Sequence, residues 1–490
     1  MSTHGLRAMV LASGQLVAAG AAILSSAVLA RLLNQADYGT YKQTLLAYGM
    51  ASPLLLLALP KVLYVFIPRH PQRARGLLIE NLLLLTVAGS IFTLALWLGG
   101  AEVLARRFNN PDLASVLRIY APFPLFAFPA LALSGCLMAY QQVRAVALFN
   151  VVGRLAAVVP ILLISVFYPT PTAAIVGAVG GAIVMLLPSL WLMVRATRGT
   201  EAVVTRASTW EQLRFAAPLG LASMIGALNL SIDKLVVSAL TTPEQYAIYA
   251  NGAFEIPLIG IVTGSVTAVM LPDLSRLLAE GRPADALDLW KRSSLSSAVV
   301  LLPAMCLLIA LAEPFIEVLY SARYLESALP FRIYLLALPA RLVVFGSLMM
   351  AAGLGRVILI RAALSLVFGL GLNIILVSWI GYMGAIIATL VVLYLWATPL
   401  NVMSIGRACG ATWKEVLPFG TIGRILAVSV ASCLVLVPSA FIPHLPAVLR
   451  LAIFVPLYAA TVAGLMVKLG LLDISVVRRL AQRVRRRLRR

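Results

Sequence analysis

The chain has 490 residues, of which 61% are hydrophobic and only 12% are charged. Soluble domains carry about 25% charged residues, so this composition excludes a soluble protein and predicts an integral membrane protein. The net charge of +21 would suggest nucleic-acid binding in a soluble protein, but here the basic residues lie between apolar runs, as in the cytoplasmic loops of membrane proteins. No nucleic-acid partner is therefore expected. The four cysteines show neither metal-ligand nor disulfide spacing, so no metal site is expected.

The sequence contains about fourteen apolar segments that are long enough to cross roughly 30 Å of hydrocarbon. The first six are predicted at 10–33, 43–67, 77–101, 113–139, 145–168 and 173–195. Six more are predicted at 212–240, 246–271, 293–312, 329–354, 357–380 and 382–405, and a final two near 418–442 and 447–470. The first segment is too long for the apolar region of a signal peptide, so we interpret it as a spanning helix.

Lysine and arginine are concentrated on alternate links between the predicted spans. By the positive-inside rule both chain termini are then cytoplasmic, which requires an even number of spans. Twelve and fourteen spans both satisfy this condition. The basic amphipathic tail at 471–490 is expected to lie on anionic lipids at the cytoplasmic face.

A short motif near the start of the chain is repeated 208 positions later. Tyr38 and Tyr41 match Tyr246 and Tyr249 in spacing and context, which indicates two copies of one membrane unit. Because six spans is an even number, both copies insert in the same direction and are related by a pseudo-two-fold axis along the membrane normal. The predicted fold is an all-α polytopic membrane protein with two six-helix bundles around a central cavity. We interpret the four tyrosines as aromatic residues at the membrane interface.

This organisation divides the chain into five parts. They are an N-terminal six-helix lobe at 1–195, a cytoplasmic linker at 196–211, a C-terminal six-helix lobe at 212–405, two additional spans at 406–470 and the tail at 471–490.

Two carboxylates, Asp233 and Glu255, lie within the apolar segments at a similar predicted depth. A carboxylate in the interior of a span costs about 2.5–3.5 kcal/mol on insertion scales, so such groups face protein or a water-filled cavity. Both are candidates to bind a coupling proton or sodium ion. The alternative is a static ion pair with Lys234, which follows Asp233 in the sequence.

The run from Ala30 to Tyr41, Ala-Arg-Leu-Leu-Asn-Gln-Ala-Asp-Tyr-Gly-Thr-Tyr, resembles the first-loop signature of polysaccharide flippases, the Wzx-type exporters of O-antigen and exopolysaccharide. Asp233-Lys234, the run from Leu271 to Arg276 and the run from Glu313 to Tyr324 resemble further parts of the family's pattern. The resemblance implies the fold of the multidrug/oligosaccharidyl-lipid/polysaccharide (MOP) exporter superfamily, in which two six-helix bundles open alternately to each side. It also implies a substrate, an oligosaccharide on a polyprenyl pyrophosphate, which is moved from the cytoplasmic to the outer leaflet of the bacterial cytoplasmic membrane.

A lipid pyrophosphate is a dense anion, so a cavity that accepts it requires fixed cations, among which arginine offers paired donors to phosphate oxygens. Arg154 and Arg341 lie near the middle of their predicted spans and are the first candidates. The further candidates are Lys234, Arg31, Lys61 and Arg118. Lys234 could instead neutralise Asp233 or Glu255. The last three lie closer to span ends, where a long side chain can reach the interface.

The sequence has no recognisable catalytic or cofactor-binding motif, so we expect a transporter and not an enzyme. Three rivals remain: a membrane glycosyltransferase or polymerase of the same pathway, a multidrug antiporter of the same superfamily, and a lipid II flippase. The short predicted outer links disfavour the enzyme, and the cationic excess within the spans disfavours the antiporter. The sequence does not separate the lipid II flippase from the first choice. Expected partners are the lipid-linked oligosaccharide and other membrane proteins of polysaccharide assembly.

Overall fold

The computed structural model describes residues 19–442 and 444–472, and every regular element in these ranges is helical. The helices of the first half are α1 (Ala19–Leu32), α2 (Gln35–Leu56), α3 (Leu59–Arg69), α4 (Ala74–Ala95), α5 (Ala101–Arg107), α6 (Leu113–Tyr120), α7 (Phe123–Ala139), α8 (Val143–Phe167), α9 (Pro171–Ala196), α10 (Arg206–Asn229), α11 (Ile232–Leu240) and α12 (Pro243–Gly252). Those of the second half are α13 (Pro257–Ala279), α14 (Pro283–Ala310), α15 (Ala312–Tyr320), α16 (Ala328–Leu335), α17 (Leu338–Arg341), α18 (Phe345–Ala351), α19 (Gly355–Ile380), α20 (Tyr382–Val391), α21 (Thr398–Cys409), α22 (Trp413–Val416), α23 (Phe419–Ser432) and α24 (Ala447–Lys468). Shorter 3-10 or π-helical segments lie at Pro71–Arg73, Leu96–Gly100, Ala322–Ser327, Val392–Ala397 and Cys433–Phe441. The predicted all-α fold is confirmed over the described part of the chain.

Within the described residues, nine helical runs are long and apolar enough to cross a membrane, and three bent pairs of helices raise the number to twelve if each pair is one span. Two of the predicted spans are not among them. The span at 10–33 is described only from Ala19, and the span at 246–271 is divided between α12 and α13 by a break at residues 253–256. The predicted tail at 471–490 lies outside the described residues from position 473 onward.

Prolines explain two of the three bends. Helices α6 and α7 meet at 45° next to Pro122, and the helical runs 322–335 and 338–351 meet at 47° next to Pro339. Proline lacks the backbone N–H donor and clashes with the preceding turn, so it ends or bends a helix. The bend of 52° between α10 and α11 has no proline at its break, and it places Asp233 in the first turn of α11.

The described helices fall into two compact units. The first contains the chain up to Ala250 together with residues 362–388, and the second contains Asn251–Arg361 together with the chain from Thr389. These units are defined by packing, whereas the predicted lobes are defined by a sequence repeat. The predicted lobe boundaries therefore stay a prediction.

Glycines allow close helix packing in the first unit. A Cβ atom added to Gly177 of α9 would lie 2.6 Å from the Cα atom of Ile161 of α8. One added to Gly181 would lie 2.5 Å from the carbonyl oxygen of Ala156. Helices in a membrane associate through van der Waals packing, which small residues strengthen because they let the backbones approach.

In the second unit, an ion pair connects α24, the last of the described helices, to α15. Arg450 of α24 donates to a carboxylate oxygen of Glu317 on α15 at 3.3 Å, and its side chain is only 15% exposed. Trp290 of α14 is fully buried and donates through Nε1 to the carbonyl of Val344 at 3.1 Å. This contact fixes the irregular backbone that follows Arg341, one of the predicted site residues.

Candidate functional site

Asp233 is the more deeply buried of the two predicted coupling carboxylates. The residue is 5% exposed, and its Oδ2 atom accepts a hydrogen bond of 2.6 Å from the hydroxyl of Tyr249. The ammonium of Lys234 lies 3.8 Å from the same oxygen and donates to the carbonyl of Leu230 at 3.2 Å. The structure thus contains the Asp233–Lys234 ion pair that the sequence analysis gave as the alternative to ion coupling. Coupling itself stays a prediction.

The interpretation of the four motif tyrosines as membrane-interface aromatics is wrong. The exposed fractions of Tyr38, Tyr41, Tyr246 and Tyr249 are 0%, 6%, 2% and 0%. The hydroxyl of Tyr38 lies 2.6 Å from that of Ser26, and the hydroxyl of Tyr249 has the carboxylate partner described above. A buried phenol requires such a polar partner. Because these two hydroxyls find partners inside the first unit, they do not need the aqueous interface.

In the first unit, the first copy of the repeated motif contacts the start of α12, the helix that carries the second copy. A Cβ atom added to Gly39 of α2 would lie 2.1 Å from the carbonyl oxygen of Pro243, at the start of α12. Side chains of any size would force these backbones apart, so the contact depends on glycine. Close by in the same unit, Asn109 donates from Nδ2 to the carbonyl of Ala239 at 3.1 Å. The glycine of the motif therefore has a packing role.

Arg341 and Glu255 form a second ionic cluster, which lies in the second unit. One guanidinium nitrogen of Arg341 lies 2.7 Å from the Oε1 atom of Glu255, and the other lies 3.3 Å from the hydroxyl of Tyr334. The guanidinium carbon is 5.2 Å from the centroid of the Tyr334 ring, which is within cation–π range. From the sequence, Lys234 could neutralise Asp233 or Glu255. The structure pairs it with Asp233 and pairs Glu255 with Arg341.

The remaining predicted cations lie on four different helices of the first unit: Arg31 on α1, Lys61 on α3, Arg118 on α6 and Arg154 on α8. Arg118 forms an ion pair with Glu102. Arg31 donates to the carbonyl of Ala27 at 3.2 Å. Lys61 and Arg154 are both exposed, and Arg154 interacts electrostatically with the buried Tyr41. The predicted phosphate-binding role of these four residues stays a prediction.

Sequence reasoning missed a buried carboxylate, Glu80, in the second turn of α4. Its side chain is fully buried. The Oε1 atom accepts from the backbone N–H of Thr205 at 2.8 Å, and the Oε2 atom accepts from the Gln212 amide at 2.9 Å and from the Ser208 hydroxyl. The guanidinium of Arg73 lies 3.7 Å from Oε1. Glu80 thereby fixes the first turns of α10 on α4.

The backbone between α9 and α10 is also hydrogen-bonded to the start of α4, close to Glu80. The N–H of Gly76 donates to the carbonyl of Glu201 at 3.0 Å, and the N–H of Glu201 donates to the carbonyl of Gln72 at 2.7 Å. A Cβ atom on Gly76 would lie 2.2 Å from the carbonyl oxygen of Val203, so the backbones touch. The linker predicted at 196–211 is therefore packed on the start of α4. The signal that could have found this network is the polar Glu80-Asn81 pair inside an apolar segment.

Solved structures of membrane transporters share this fold. A lipid II flippase MurJ in an inward closed conformation matches with a TM-score of 0.69 at 17% identity, covering 93% of this chain and 99% of its own. A multidrug resistance MATE family transporter in an inward-facing conformation matches with a TM-score of 0.60 at 15% identity, covering 81% and 95%. A MOP superfamily transporter from Pyrococcus furiosus gives 0.57 at 14% identity, covering 82% and 96%. The chain is a multi-pass membrane protein with the fold of the MOP superfamily.

The sequence profile of the polysaccharide biosynthesis protein family matches residues 7–278, which is more than half of the chain. The chain belongs to this family, and the recognition based on its sequence motifs is confirmed. A segment of 109 residues is 31% identical to a probable lipid II flippase MurJ of Rhizobium meliloti (strain 1021). This match covers 22% of the chain and spans 20% of the length of that relative.

Proposed function

We propose that this protein is a transporter that moves a polyprenyl-pyrophosphate-linked oligosaccharide from the cytoplasmic to the outer leaflet of the bacterial cytoplasmic membrane by alternating access. The observation that carries the proposal is the match of residues 7–278 to the polysaccharide biosynthesis protein family. The fold supports it, since solved structures with this fold include a lipid II flippase and multidrug transporters. Under this proposal both termini are cytoplasmic, and the substrate crosses without chemical change.

Arginine and lysine within the spans supply the charge that such a substrate requires. Pyrophosphate oxygens accept paired hydrogen bonds from a guanidinium, whereas an ammonium acts as a point charge. The side chain of Arg341 is only 23% exposed, and the Tyr334 ring and hydroxyl hold its guanidinium in one orientation. We assign Arg341 and Arg154 to the pyrophosphate. The secondary cations along the path are Lys234, Arg31, Lys61 and Arg118.

We further propose that Asp233 or Glu255 couples transport to a proton or sodium gradient. Asp233→Asn is then expected to reduce the gradient-stimulated part of transport at least severalfold, because the amide cannot take up a proton or provide a charged ligand to a cation. The measurement is export of the glycan in cells, or in vesicles, with and without an ionophore that collapses the gradient. The exposed Asp112, replaced in the same way, is the control. Gradient dependence equal to that of the wild type would return Asp233 to a structural role.

A lipid II flippase is the second candidate, and two observations favour it. A segment of 109 residues is 31% identical to a probable lipid II flippase, and the fold of a solved lipid II flippase covers 93% of the chain. Lipid II also carries a pyrophosphate on a polyprenyl chain, so the same cations would serve it. The two candidates differ in the sugar and in the cellular consequence of losing the transporter.

Complementation separates the two candidates. In the natural host, deletion of this gene is expected to abolish a surface glycan without stopping growth, and the wild-type gene on a plasmid should restore the glycan. In a second strain, depleted of its own lipid II flippase, the same plasmid should not restore growth. Rescue of growth in the second strain together with an intact glycan in the deletion strain would replace the first proposal by the second. An intact glycan and no rescue would reject both.

A further inference from the structure

The ion pair between Arg341 and Glu255 joins two breaks in the helical backbone, both of which lie in the second unit. Arg341 is the last residue of the four-residue helix α17, and irregular backbone at residues 342–344 separates it from α18. Glu255 lies in the break at residues 253–256 between α12 and α13. Interrupted helices inside a transporter membrane domain are typical of substrate and ion sites, because the break frees polar groups from the helix.

We propose that Glu255 is an internal substitute for a phosphate group, and that the pyrophosphate of the substrate displaces Glu255 from the guanidinium of Arg341. This inference rests on the proposed function, and it adds how the anion site behaves when no substrate is bound. A carboxylate and a phosphate offer a guanidinium the same pattern of acceptor oxygens. The resting pair therefore avoids an uncompensated cation inside a membrane protein, which would be costly.

The two partners are held unequally, and this determines which of them moves. The Arg341 side chain is 23% exposed and is fixed by the hydroxyl and the ring of Tyr334 as well as by the carboxylate. The Glu255 side chain is 48% exposed, so it can exchange the guanidinium for water at small cost. We therefore expect the carboxylate to leave and the guanidinium to keep its position.

The space beside the ion pair is too small for a phosphate group to bind while the Glu255 carboxylate stays in place, which favours replacement of the carboxylate by the phosphate. A small hollow of the second unit is lined by apolar side chains and by the ion pair itself, and its lining includes Phe254, Ile256, Ile259 and Leu338. It has room for about one water molecule. A phosphate group is larger than that, so within this hollow it can take a place on the guanidinium only when the carboxylate has moved away.

The carboxylate at Asp233 provides the contrast. That residue is 5% exposed, and its oxygen accepts a short hydrogen bond from a buried phenol while a lysine lies 3.8 Å away. Displacing it would leave a buried hydroxyl and an ammonium without their partner, which is expensive. Of these two carboxylates, only Glu255 combines a cationic partner with access to water.

Binding of inorganic pyrophosphate to the purified full-length protein in detergent tests the exchange. Glu255→Gln is expected to bind pyrophosphate about tenfold more tightly than the wild type, because the competing charge is gone and the guanidinium remains. Glu255→Asp, which keeps the charge on a shorter side chain, should give a smaller increase in the same direction. Adding Arg341→Gln to Glu255→Gln should remove the gain. The measurement is the dissociation constant from calorimetry or thermophoresis, on protein that elutes as a single species in size-exclusion chromatography.

Glu313→Gln is the matched control. Glu313 also pairs with an arginine of the second unit, Arg332, at 3.0 Å, and its side chain is 56% exposed. Its replacement should leave pyrophosphate binding unchanged. Equal or weaker binding by Glu255→Gln, or an equal gain from Glu313→Gln, would overturn the proposal. The two proposals can fail separately. If the variants change pyrophosphate binding as expected but the protein does not restore the glycan in the complementation test, the exchange at Arg341 stands and only the glycan substrate is rejected.

Discussion

Replacing either Arg341 or Arg154 by alanine is expected to lower the amount of surface glycan by on the order of 100-fold at unchanged protein level, and the double replacement should abolish it. Truncating one partner of a desolvated charge pair costs about 2–5 kcal/mol, and 1.4 kcal/mol corresponds to tenfold. The protein should tolerate the loss of Arg341, because the side chain of its partner Glu255 is 48% exposed and can be hydrated. Surface glycan is measured in the deletion strain with a glycan-specific antibody, and the transporter by immunoblot.

Two further variants make this comparison specific. Arg356→Ala removes an exposed arginine in the first turn of α19, and it should leave export unchanged. Arg341→Lys keeps the charge and loses the paired donors, so export should fall between the wild type and the alanine variant. Full export by the double alanine variant would contradict the assignment of both arginines to the pyrophosphate.

The membrane class and the family could be predicted because both depend on local features of the sequence. A run of about 20 apolar residues spans a bilayer wherever it occurs, and the signature around Ala30–Tyr41 is contiguous. The Asp233–Lys234 ion pair could be predicted for the same reason, since the two residues are neighbours in sequence.

Pairings between distant residues could not be predicted in this way. Glu255 and Arg341 are 86 residues apart, and they meet because the chain breaks at residues 253–256 and again at residues 342–344. Neither break is marked strongly enough by sequence to fix which side chains face each other. The sequence left Asp233 and Glu255 as alternative partners of Lys234, and tertiary packing pairs Glu255 with Arg341.

The motif tyrosines show how a statistical rule fails when a side chain has a specific partner. Tyrosine is enriched at membrane interfaces because its hydroxyl needs a polar neighbour. Inside this protein that neighbour is a serine for Tyr38 and an aspartate for Tyr249, so the residues are buried. The rule is correct that the tyrosine hydroxyl requires a hydrogen-bond partner. A single sequence, however, does not show whether that partner is water at the interface or a polar side chain inside the protein.

Glu80→Ala is expected to destabilise the protein by about 3–5 kcal/mol, because a buried and hydrogen-bonded charge is removed and three buried donors lose their carboxylate acceptor, of which only the Gln212 amide keeps another partner, the Leu77 carbonyl at 3.3 Å. The donors left behind are the backbone N–H of Thr205, the hydroxyl of Ser208 and the amide of Gln212. They lie in the first turns of α10, so the loss should loosen the helix that leads into α11 and Asp233. The measurement is the thermal unfolding midpoint of the purified protein in detergent, which should fall by roughly 5 °C or more.

Glu211→Ala provides the control for this last prediction. Glu211 precedes Gln212 on the same helix but is exposed, so its loss should shift the midpoint by about 1 °C or less. Glu80→Gln should give an intermediate shift, since the amide oxygen still accepts one hydrogen bond while its NH2 group faces the Gln212 amide or the Ser208 hydroxyl. A midpoint for Glu80→Ala equal to that of Glu211→Ala would show that the packing of Gly76 on Val203, and not the carboxylate, holds α10 on α4.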